Sequence, residues 1–320
     1  MPPMKLKLLV TPLAKGAYFD AYLDVARAEL QAHFPGVDAE LEQVGGLDLL
    51  AVELDEDSLP IAARLSFVQG AFRTEDTGRL VPLALQSDLL LPDAIVFGAK
   101  YQGKTNELVT QLAINLGLRF CATTRPQKTL LDPMAGRGTT LLWGLRYGID
   151  STGIERDPDA RDALHNHLKR QAKLHRIKHS HRKGFVGRKN RSGSGAFGLY
   201  EMAGHSLRLI TGDSRRAPDL LGGQRFDLIV SDLPYGVRFK GDSHRSPLEL
   251  VEACAGGWLA SLRDGGAMVL IFNRYQPTRE QLEEAMAGPE SRALDFSAPH
   301  RMSESIVRDL FVVTRRGHGP

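Results

Sequence analysis

The sequence predicts an α/β protein with a doubly wound parallel sheet, preceded by a small α+β module. From Thr129 onward, short apolar segments alternate with helical patterns, as strands and helices do in parallel sheets. Several of those apolar segments end in an acidic residue. Before residue 75 the predicted order is instead strand, helix, two strands, helix and strand, which is the order of a ferredoxin-like module.

The N-terminal module, residues 1–75, is expected from local patterns of hydrophobicity and from turn residues. Gly45-Gly46 predicts a hairpin turn, and Pro35-Gly36 ends the first helix. The alternative is an irregular extension of the main sheet. The expected segments are a strand at 5–13, a helix at 18–34, strands at 39–44 and 47–54, a helix at 57–65 and a strand at 66–72.

Residues 76–100 are interpreted as a connecting region and residues 101–320 as the second domain. A helix is expected at 105–118, after the loop Gly98–Lys104. The expected parallel strands lie at 129–132, 151–155, 207–211, 226–231 and 266–272. Two more strands, Asp295–Pro299 and Ile306–Thr314, are expected to close the sheet as an antiparallel hairpin.

A basic insertion of about 30 residues is predicted at about 168–200. Ten Lys or Arg and no Asp or Glu lie between Leu168 and Gly198, in a chain whose net charge is only +3. Glycine and serine residues from Lys183 to Tyr200 predict a flexible segment. Its cations could neutralise several nucleic-acid phosphates, and the alternative is a solvated, disordered loop.

Composition indicates a reducing compartment. The two cysteines, Cys121 and Cys254, are far apart and show no metal-ligand spacing, so no metal site is predicted. No run approaches 18 apolar residues, and the N-terminus lacks a signal-peptide core. We therefore expect a cytoplasmic protein.

A glycine-containing loop follows the strand that ends at Asp132, in the sequence Asp-Pro-Met-Ala-Gly-Arg-Gly-Thr-Thr. Gly136 and Gly138 let the backbone approach a ligand closely, and a helix from about Thr139 offers unpaired N–H groups. Such a loop suits NAD as well as other adenosine cofactors.

Two further carboxylates end the next strands. Glu155 can accept hydrogen bonds from ribose hydroxyls, and Asp213 can accept one from an adenine amine. Each has a plain structural alternative: Glu155 as a helix-capping acid and Asp213 as an N-cap.

The fourth parallel strand is followed by Asp232-Leu233-Pro234-Tyr235-Gly236. The exocyclic amine of a nucleobase is a poor nucleophile because its lone pair is delocalised into the ring. A carboxylate and a backbone carbonyl can accept its two N–H groups, orient it and stabilise developing positive charge. Tyr235 offers a face for base stacking, Pro234 stiffens the turn, and the alternative is an ordinary turn after a strand.

These segments resemble the class I, THUMP-associated RNA methyltransferases, which make N2-methylguanosine in tRNA or ribosomal RNA. The resemblance covers roughly residues 90–320 and is most specific at Ser231–Gly236. Leu233 matches that group, whereas adenine-N6 enzymes usually carry two prolines there. A THUMP domain usually follows the ferredoxin-like module, but residues 74–100 are too few for one.

The resemblance implies a Rossmann-like fold, the cofactor S-adenosyl-L-methionine, and RNA as partner, with tRNA preferred over rRNA. Asp232, Pro234 and Tyr235 are the implied catalytic residues. The implied cofactor residues are Asp132, Met134, Gly136, Gly138, Thr139, Glu155, Asp213 and, from a loop over the methionine end, Thr105.

Other functions stay open at this point. A DNA adenine-N6 or amide-directed methyltransferase could use the same carboxylate. Against the DNA enzyme, the stretch after Asp232 completes the sheet but is too short for a target-recognition domain. A non-catalytic RNA-binding protein on a methyltransferase scaffold would not need Asp232 and Tyr235. A hydride-transfer enzyme would have no use for the Asp-Leu-Pro-Tyr turn.

Overall fold

The computed structural model describes residues 3–85, 87–98, 104–187, 194–234 and 246–316. The strands are β1 (Met4–Val10), β2 (Glu40–Val44), β3 (Leu47–Leu54), β4 (Val68–Thr74), β5 (Leu80–Leu83), β6 (Thr129–Asp132), β7 (Asp150–Glu155), β8 (His179–Phe185), β9 (Ala196–Met202), β10 (His205–Thr211), β11 (Phe226–Asp232), β12 (Leu262–Asn273), β13 (Ser291–Leu294), β14 (His300–Ser303) and β15 (Ile306–Arg315). The helices are α1 (Pro12–Tyr18), α2 (Tyr22–His33), α3 (Leu59–Ala62), α4 (Ala94–Phe97), α5 (Glu107–Phe120), α6 (Thr139–Arg146), α7 (Asp159–Leu174), α8 (Ala217–Leu221), α9 (Pro247–Ser261) and α10 (Arg279–Ala285). Within the described ranges, no helix is long and apolar enough to cross a membrane.

The N-terminal module is an antiparallel sheet of order β2-β3-β1-β4-β5. Alternation explains its packing, since Leu6, Leu8 and Val10 of β1 are buried and the residues between them point to the other face. The order β2-β3-β1-β4 confirms the ferredoxin-like module. Strand β5 pairs with β4, so the sheet continues into the stretch that the sequence assigns to a connection.

The second sheet has the order β13-β15-β12-β11-β6-β7-β10-β9-β8, with β14 also paired to β15. Its centre, from β12 to β10, is parallel, and β15 is antiparallel to β12. Alternate residues of β11 face two separate apolar clusters, one shared with α5, α6 and α7 and the other with α8, α9 and α10. The doubly wound α/β sheet is therefore confirmed, and the parallel strands all end at one edge.

The basic insertion contains a β-hairpin, so the prediction of a flexible segment from Lys183 to Tyr200 is wrong for its described residues. Strand β8 pairs with β9 from His179–Met202 to Phe185–Ala196, and β9 pairs with β10. A stack of rings from α7, β8 and β9 joins the hairpin to the helix: the His181 ring lies 4.3 Å from the His165 ring and 4.5 Å from the Tyr200 ring.

The end of the chain also differs from the prediction, because Asp295–Pro299 is not a strand. It connects β13 to β14, which both pair with β15. The Ala298 N–H donates to the buried Asp309 side-chain carboxylate at 2.7 Å instead of to a backbone carbonyl of a strand ladder. Pro299 has no N–H to contribute to a ladder.

A buried polar network joins the N-terminal module to the second domain. Glu29 on α2 accepts hydrogen bonds from the N–H and hydroxyl of Ser66 and, at 2.7 Å, from the Asn115 amide on α5. The Tyr147 hydroxyl donates to Asn115 at 2.6 Å. Burial raises the pKa of Glu29 to about 7, although each of its partners stabilises the charged form. The interface thus contains an acid that titrates near neutrality.

Candidate active site

The two motif-bearing segments meet at the carboxyl ends of adjacent parallel strands. Asp132 ends β6 and Asp232 ends β11, and these strands pair directly. Ser231 joins them, because its buried hydroxyl donates to Asp132 Oδ1 at 2.7 Å. The two carboxylates are close enough that the charge of Asp232 raises the pKa of Asp132. The expectation that both segments form one site is thus matched by the geometry.

Asp132 is buried and shapes the loop that follows it. Its Oδ1 also accepts from the Met134 N–H at 3.0 Å, and the nearby Thr140 side chain lowers the pKa of the same carboxyl. Burial outweighs these contacts and raises the pKa of Asp132 to about 6. Asp132 therefore holds the start of the glycine loop against β11.

The glycine loop turns tightly into α6. Gly138 is the N-cap residue with φ +87°, a left-handed conformation that favours glycine, and Thr139 begins the helix as a buried residue. The loop also approaches β7 closely: a Cβ on Gly153 would lie 2.6 Å from the Ala135 side chain. Met134, half-buried, packs against the apolar cluster of α8, α9 and α10. The predicted cofactor residues of this loop therefore occupy a compact turn.

Each carboxylate oxygen of Glu155 accepts a backbone hydrogen bond, one of them from the glycine loop. Its Oε2 accepts from the Gly136 N–H at 2.8 Å, and its Oε1 accepts from the Asp157 N–H at 2.8 Å. The β7 end is also tied to β10, since the Gly212 N–H donates to the Glu155 carbonyl at 2.9 Å. Each carboxylate oxygen can accept more than one hydrogen bond, so these contacts leave Glu155 able to accept ligand hydroxyls.

Asp213 is engaged by its own segment. Its side chain accepts from the Arg215 N–H at 2.9 Å, which caps a 3-10 turn over Ser214–Arg216. The Arg215 guanidinium also forms an ion pair with the carboxylate and lowers the pKa of Asp213. Asp213 is therefore an N-cap residue in this structure, which is the structural alternative that the sequence offered for it. An adenine amine would have to share the carboxylate with Arg215.

Asp232 has two differently engaged oxygens. Oδ2 accepts from the Arg308 guanidinium, whose Nη2 lies 3.2 Å away. Oδ1 is buried and has no partner at hydrogen-bonding distance and angle among the described residues. Burial raises the pKa of Asp232, whereas Arg308 and the Thr105 side chain both lower it. A buried acceptor without a donor is costly, so this oxygen is suited to receive a ligand N–H.

The segment before α5 reaches the same place. The Thr105 side chain lies close enough to Asp232 to lower the pKa of that carboxyl. Asn106 is the N-cap of α5, and its Oδ1 accepts from the Leu108 N–H at 3.0 Å. Lys104 donates to the Val96 carbonyl at 2.8 Å and pairs with Glu107. The side chains of Thr105 and Asp232 therefore lie close together.

The turn after β11 is described only as far as Pro234. Leu233 is buried, and its N–H donates to the Ile271 carbonyl at 2.8 Å, which fixes the direction of the chain after Asp232. Pro234, partly buried, follows it. Tyr235, Gly236 and Gly103 lie outside the described residues, so the stacking role of Tyr235 stays a prediction.

Arg308 was not singled out from the sequence. It lies on β15, far from Asp232 along the chain, and its side chain is only 3% exposed. A signal is present nonetheless: Arg308-Asp309 is a charged pair inside the apolar run Ile306–Thr314. Charged residues in a buried strand require partners, although the sequence does not name them.

Comparisons with known proteins give similarities of fold. No family model matches the chain, and no curated protein matches it. Among solved structures, TrmN from Thermus thermophilus has 16% identity and a TM-score of 0.47, over 88% of this chain and 60% of that one. The 16S rRNA N2 methyltransferase RsmC of the same organism has 18% identity and a TM-score of 0.39, over 94% and 62%. The rRNA methyltransferase AviRa from Streptomyces viridochromogenes has 14% identity and a TM-score of 0.43, over 70% and 91%. The chain thus spans less than two thirds of the first two proteins.

Proposed function

We propose that this protein is an S-adenosyl-L-methionine-dependent RNA methyltransferase that acts on an exocyclic base amine, with guanine N2 as the target. The observation that carries the proposal is the geometry of Asp232. One oxygen is held by Arg308, and the other is a buried acceptor without a donor among the described residues. An amine that must be oriented for methyl transfer supplies the missing N–H.

The cofactor would bind where the strand ends and the glycine loop converge. Glu155 presents acceptor oxygens for ribose hydroxyls, and the backbone near Gly136 and Gly138 allows close approach. These are acceptors and small residues, which fit the neutral donors of an adenosine moiety. When bound, the cofactor supplies a methyl group on a positively charged sulfur.

The protein's contribution to the chemistry is orientation and charge. The Asp232 carboxylate accepts one amine N–H, which fixes the amine in place and stabilises the positive charge that develops on nitrogen as it is methylated. Tyr235, outside the described residues, would provide the face on which the base stacks. The target base must leave its helix, because the amine cannot reach a cofactor from inside a duplex.

RNA is the proposed substrate because exposed cations are concentrated on α7, β8 and the segment between them. Seven exposed cations belong to α7, β8 and the segment between them: Lys169, Arg170, Lys173, Arg176, Lys178, Arg182 and Lys183. Only two of these, Arg182 and Lys183, form ion pairs with acids among the described residues. Strand β8 runs in the same direction as β10, so Lys183 lies toward the edge where the parallel strands end, whereas Arg176 and Lys178 lie toward the opposite edge. A polyanion bound along β8 would reach the site from the β10 side.

Leu233 favours guanine over adenine as the target. It matches the guanine-N2 enzymes that the chain resembles, whereas adenine-N6 enzymes usually carry two prolines there. The carboxylate alone can accept from either amine. Guanine presents an N1–H donor and an N3 acceptor beside its amine, whereas adenine presents N1 and N7 acceptors. The choice between guanine and adenine therefore depends on the groups that face the other edge of the base. The identity of the methylated nucleoside shows which base is chosen.

The test is methylation of bulk tRNA, ribosomal RNA and duplex DNA with labelled cofactor, followed by digestion to nucleosides. Label in N2-methylguanosine from RNA is expected. Label in N6-methyladenine, or in DNA alone, would replace this proposal with the alternative of an adenine methyltransferase. Absence of any transfer, together with RNA binding, would indicate a non-catalytic RNA-binding protein.

Asp232→Ala should reduce turnover by roughly 10²–10³-fold, as the loss of one charge-stabilising group does. Affinity for S-adenosylhomocysteine, measured by calorimetry, should change little because the partner of Asp232 is the amine. Asp24→Ala, whose side chain is 82% exposed in the N-terminal module, is the matched control and should keep wild-type turnover. Wild-type turnover in Asp232→Ala would rule out the proposed role.

A further inference from the structure

Arg308 reaches Asp232 from a strand that is not its neighbour. Asp232 on β11 is paired with Ile271 on β12, and Arg308 on β15 is paired with Asn273, also on β12. Two strand spacings of about 4.8 Å separate β15 from β11. The guanidinium therefore crosses the end of β12 to contact the carboxylate, which requires a long side chain in an extended conformation.

The contact is buried on both sides. The side chains of Arg308 and Asp232 are 3% and 15% exposed, and Nη2 lies 3.2 Å from Oδ2. Moving an arginine and a carboxylate out of water costs several kcal/mol each, and replacing a buried ion pair by a well-packed hydrophobic pair is often neutral or stabilising. Stability alone is a weak reason for a buried ion pair at this place. The difference between the two carboxylate oxygens suggests another reason.

We propose that Arg308 is the positioning residue for Asp232. By holding Oδ2, it fixes the rotation of the carboxylate so that Oδ1 faces the amine of the substrate. The inference rests on the proposed function, because the substrate amine of that function is the ligand of the unpartnered Oδ1. Arg308 itself contacts Asp232 and not the amine in this arrangement.

The same contact keeps Asp232 able to accept a hydrogen bond. Among the residues that the structure describes, three groups face the carboxylate from the surrounding elements: Arg308 from β15, the Thr105 side chain from the segment before α5, and the Asp132 carboxylate from β6. Burial and a nearby carboxylate favour the protonated acid, whereas Arg308 favours the carboxylate. A protonated Oδ1 would donate instead of accept, and it would no longer match an N–H donor.

The experiment is a titration of the Asp232 carboxyl carbon by NMR in protein labelled with ¹³C-aspartate, assigned by Asp232→Asn. Arg308→Met should raise the pKa of Asp232 by at least one unit, because the cation that stabilises the charged form is removed. Arg315→Met removes another mostly buried, ion-paired arginine from the far end of β15 and should leave the titration unchanged. An equal pKa in wild type and Arg308→Met would overturn the proposal.

Rates of methyl transfer give the second readout. In Arg308→Met, kcat should fall at least tenfold at neutral pH, and the acid limb of its pH profile should move to higher pH. Arg308→Lys keeps the positive charge but loses the planar guanidinium group. The acid limb of the pH profile should therefore stay near its wild-type position while kcat falls. If Arg308→Met does not fold, Arg308→Lys carries the test, and a wild-type kcat there would contradict positioning. Wild-type protein that transfers no methyl group refutes the proposed function, whereas the NMR titration still decides whether Arg308 acts on Asp232.

Discussion

At the scale of single residues, the acids at the strand ends have different environments and therefore different properties. Asp132 accepts from its own loop and from Ser231, and burial raises its pKa to about 6. Asp213 is paired with Arg215, which lowers its pKa. Of these three acids, Asp232 combines a cation on one oxygen with a buried second oxygen that has no partner in the part of the chain that the structure describes. Carboxylates at similar strand ends thus have different partners and are suited to different roles.

Substitution of a single residue, Glu155, tests the proposed cofactor site. Glu155→Ala should weaken binding of S-adenosylhomocysteine by about 1–3 kcal/mol, because it removes a charged acceptor and releases the Gly136 N–H. Calorimetry measures the affinity, with NADH as a second ligand. The exposed Glu53→Ala on β3 is the control and should bind as wild type does. Tight NADH binding without a response to the homocysteine compound would contradict the proposed cofactor.

At the scale of secondary-structure elements, the β8–β9 hairpin extends the sheet and carries basic side chains with it. Gly184 shows how closely the strands pack, since a Cβ there would lie 2.5 Å from the Phe197 ring. Arg182 on β8 pairs with Glu201 on β9, and Lys183 reaches Asp162 on α7. The hairpin is therefore held by its ladder, its rings and its ion pairs, and its cations are presented on an ordered surface.

Neutralising cations of this surface should weaken RNA binding and flatten its salt dependence. The test variant changes Lys169, Lys173 and Lys178 to Gln. For each phosphate that the variant no longer neutralises, the slope of log K against log salt should fall by about 0.7–0.9. The control changes Lys5, Arg79 and Arg292, which are exposed elsewhere, to Gln. Equal slopes for the two triple variants would show that this surface does not bind the RNA, and cofactor binding should be unaffected in both.

At the scale of the whole molecule, the module and the second domain share a polar network at their interface. Glu29 is fully buried between Ser66 of the module and Asn115 of α5. The module also contacts the C-terminal strands, since the Tyr18 ring lies edge-on to His300 of β14 at 5.1 Å. Strand β14 pairs with β15 at Arg308, so the module supports the strand that carries this residue.

Glu29 should make stability depend on pH. Its pKa rises from 4.5 to about 7 on folding, so the folded state binds the proton more tightly, and stability from this group falls as pH rises from 4.5 to 7. The total effect is on the order of 3 kcal/mol. Glu29→Gln can keep the acceptor for Ser66 and Asn115 and should lose this pH dependence, as urea unfolding between pH 4.5 and 8 would show. Glu53→Gln is the control, and a slope in Glu29→Gln equal to wild type would refute the assignment.

The sequence by itself determined strands β1 to β4, the parallel strands β6, β7, β10, β11 and β12, and strand β15, together with the acids at the parallel strand ends. It did not predict β5, β8, β9, β13 or β14. Period-two alternation in β1 and the continuous apolar run of β11 are local patterns, and they report burial on one face or on both. Because parallel strands end at one edge, the motifs at Asp132 and Asp232 could be assigned to one site before their contacts were known.

Only the tertiary structure decided which partners those residues have. The glycine-rich, basic composition near Lys183 indicated flexibility, but pairing of β9 with β10 supplies hydrogen bonds that local composition does not report. In the same way, the contact of Arg308 with Asp232 depends on β15 lying beside β12, an adjacency between strands distant in sequence. Local patterns encode periodicity and burial, whereas the pairing of charges depends on strand order, which is settled by packing of the whole chain.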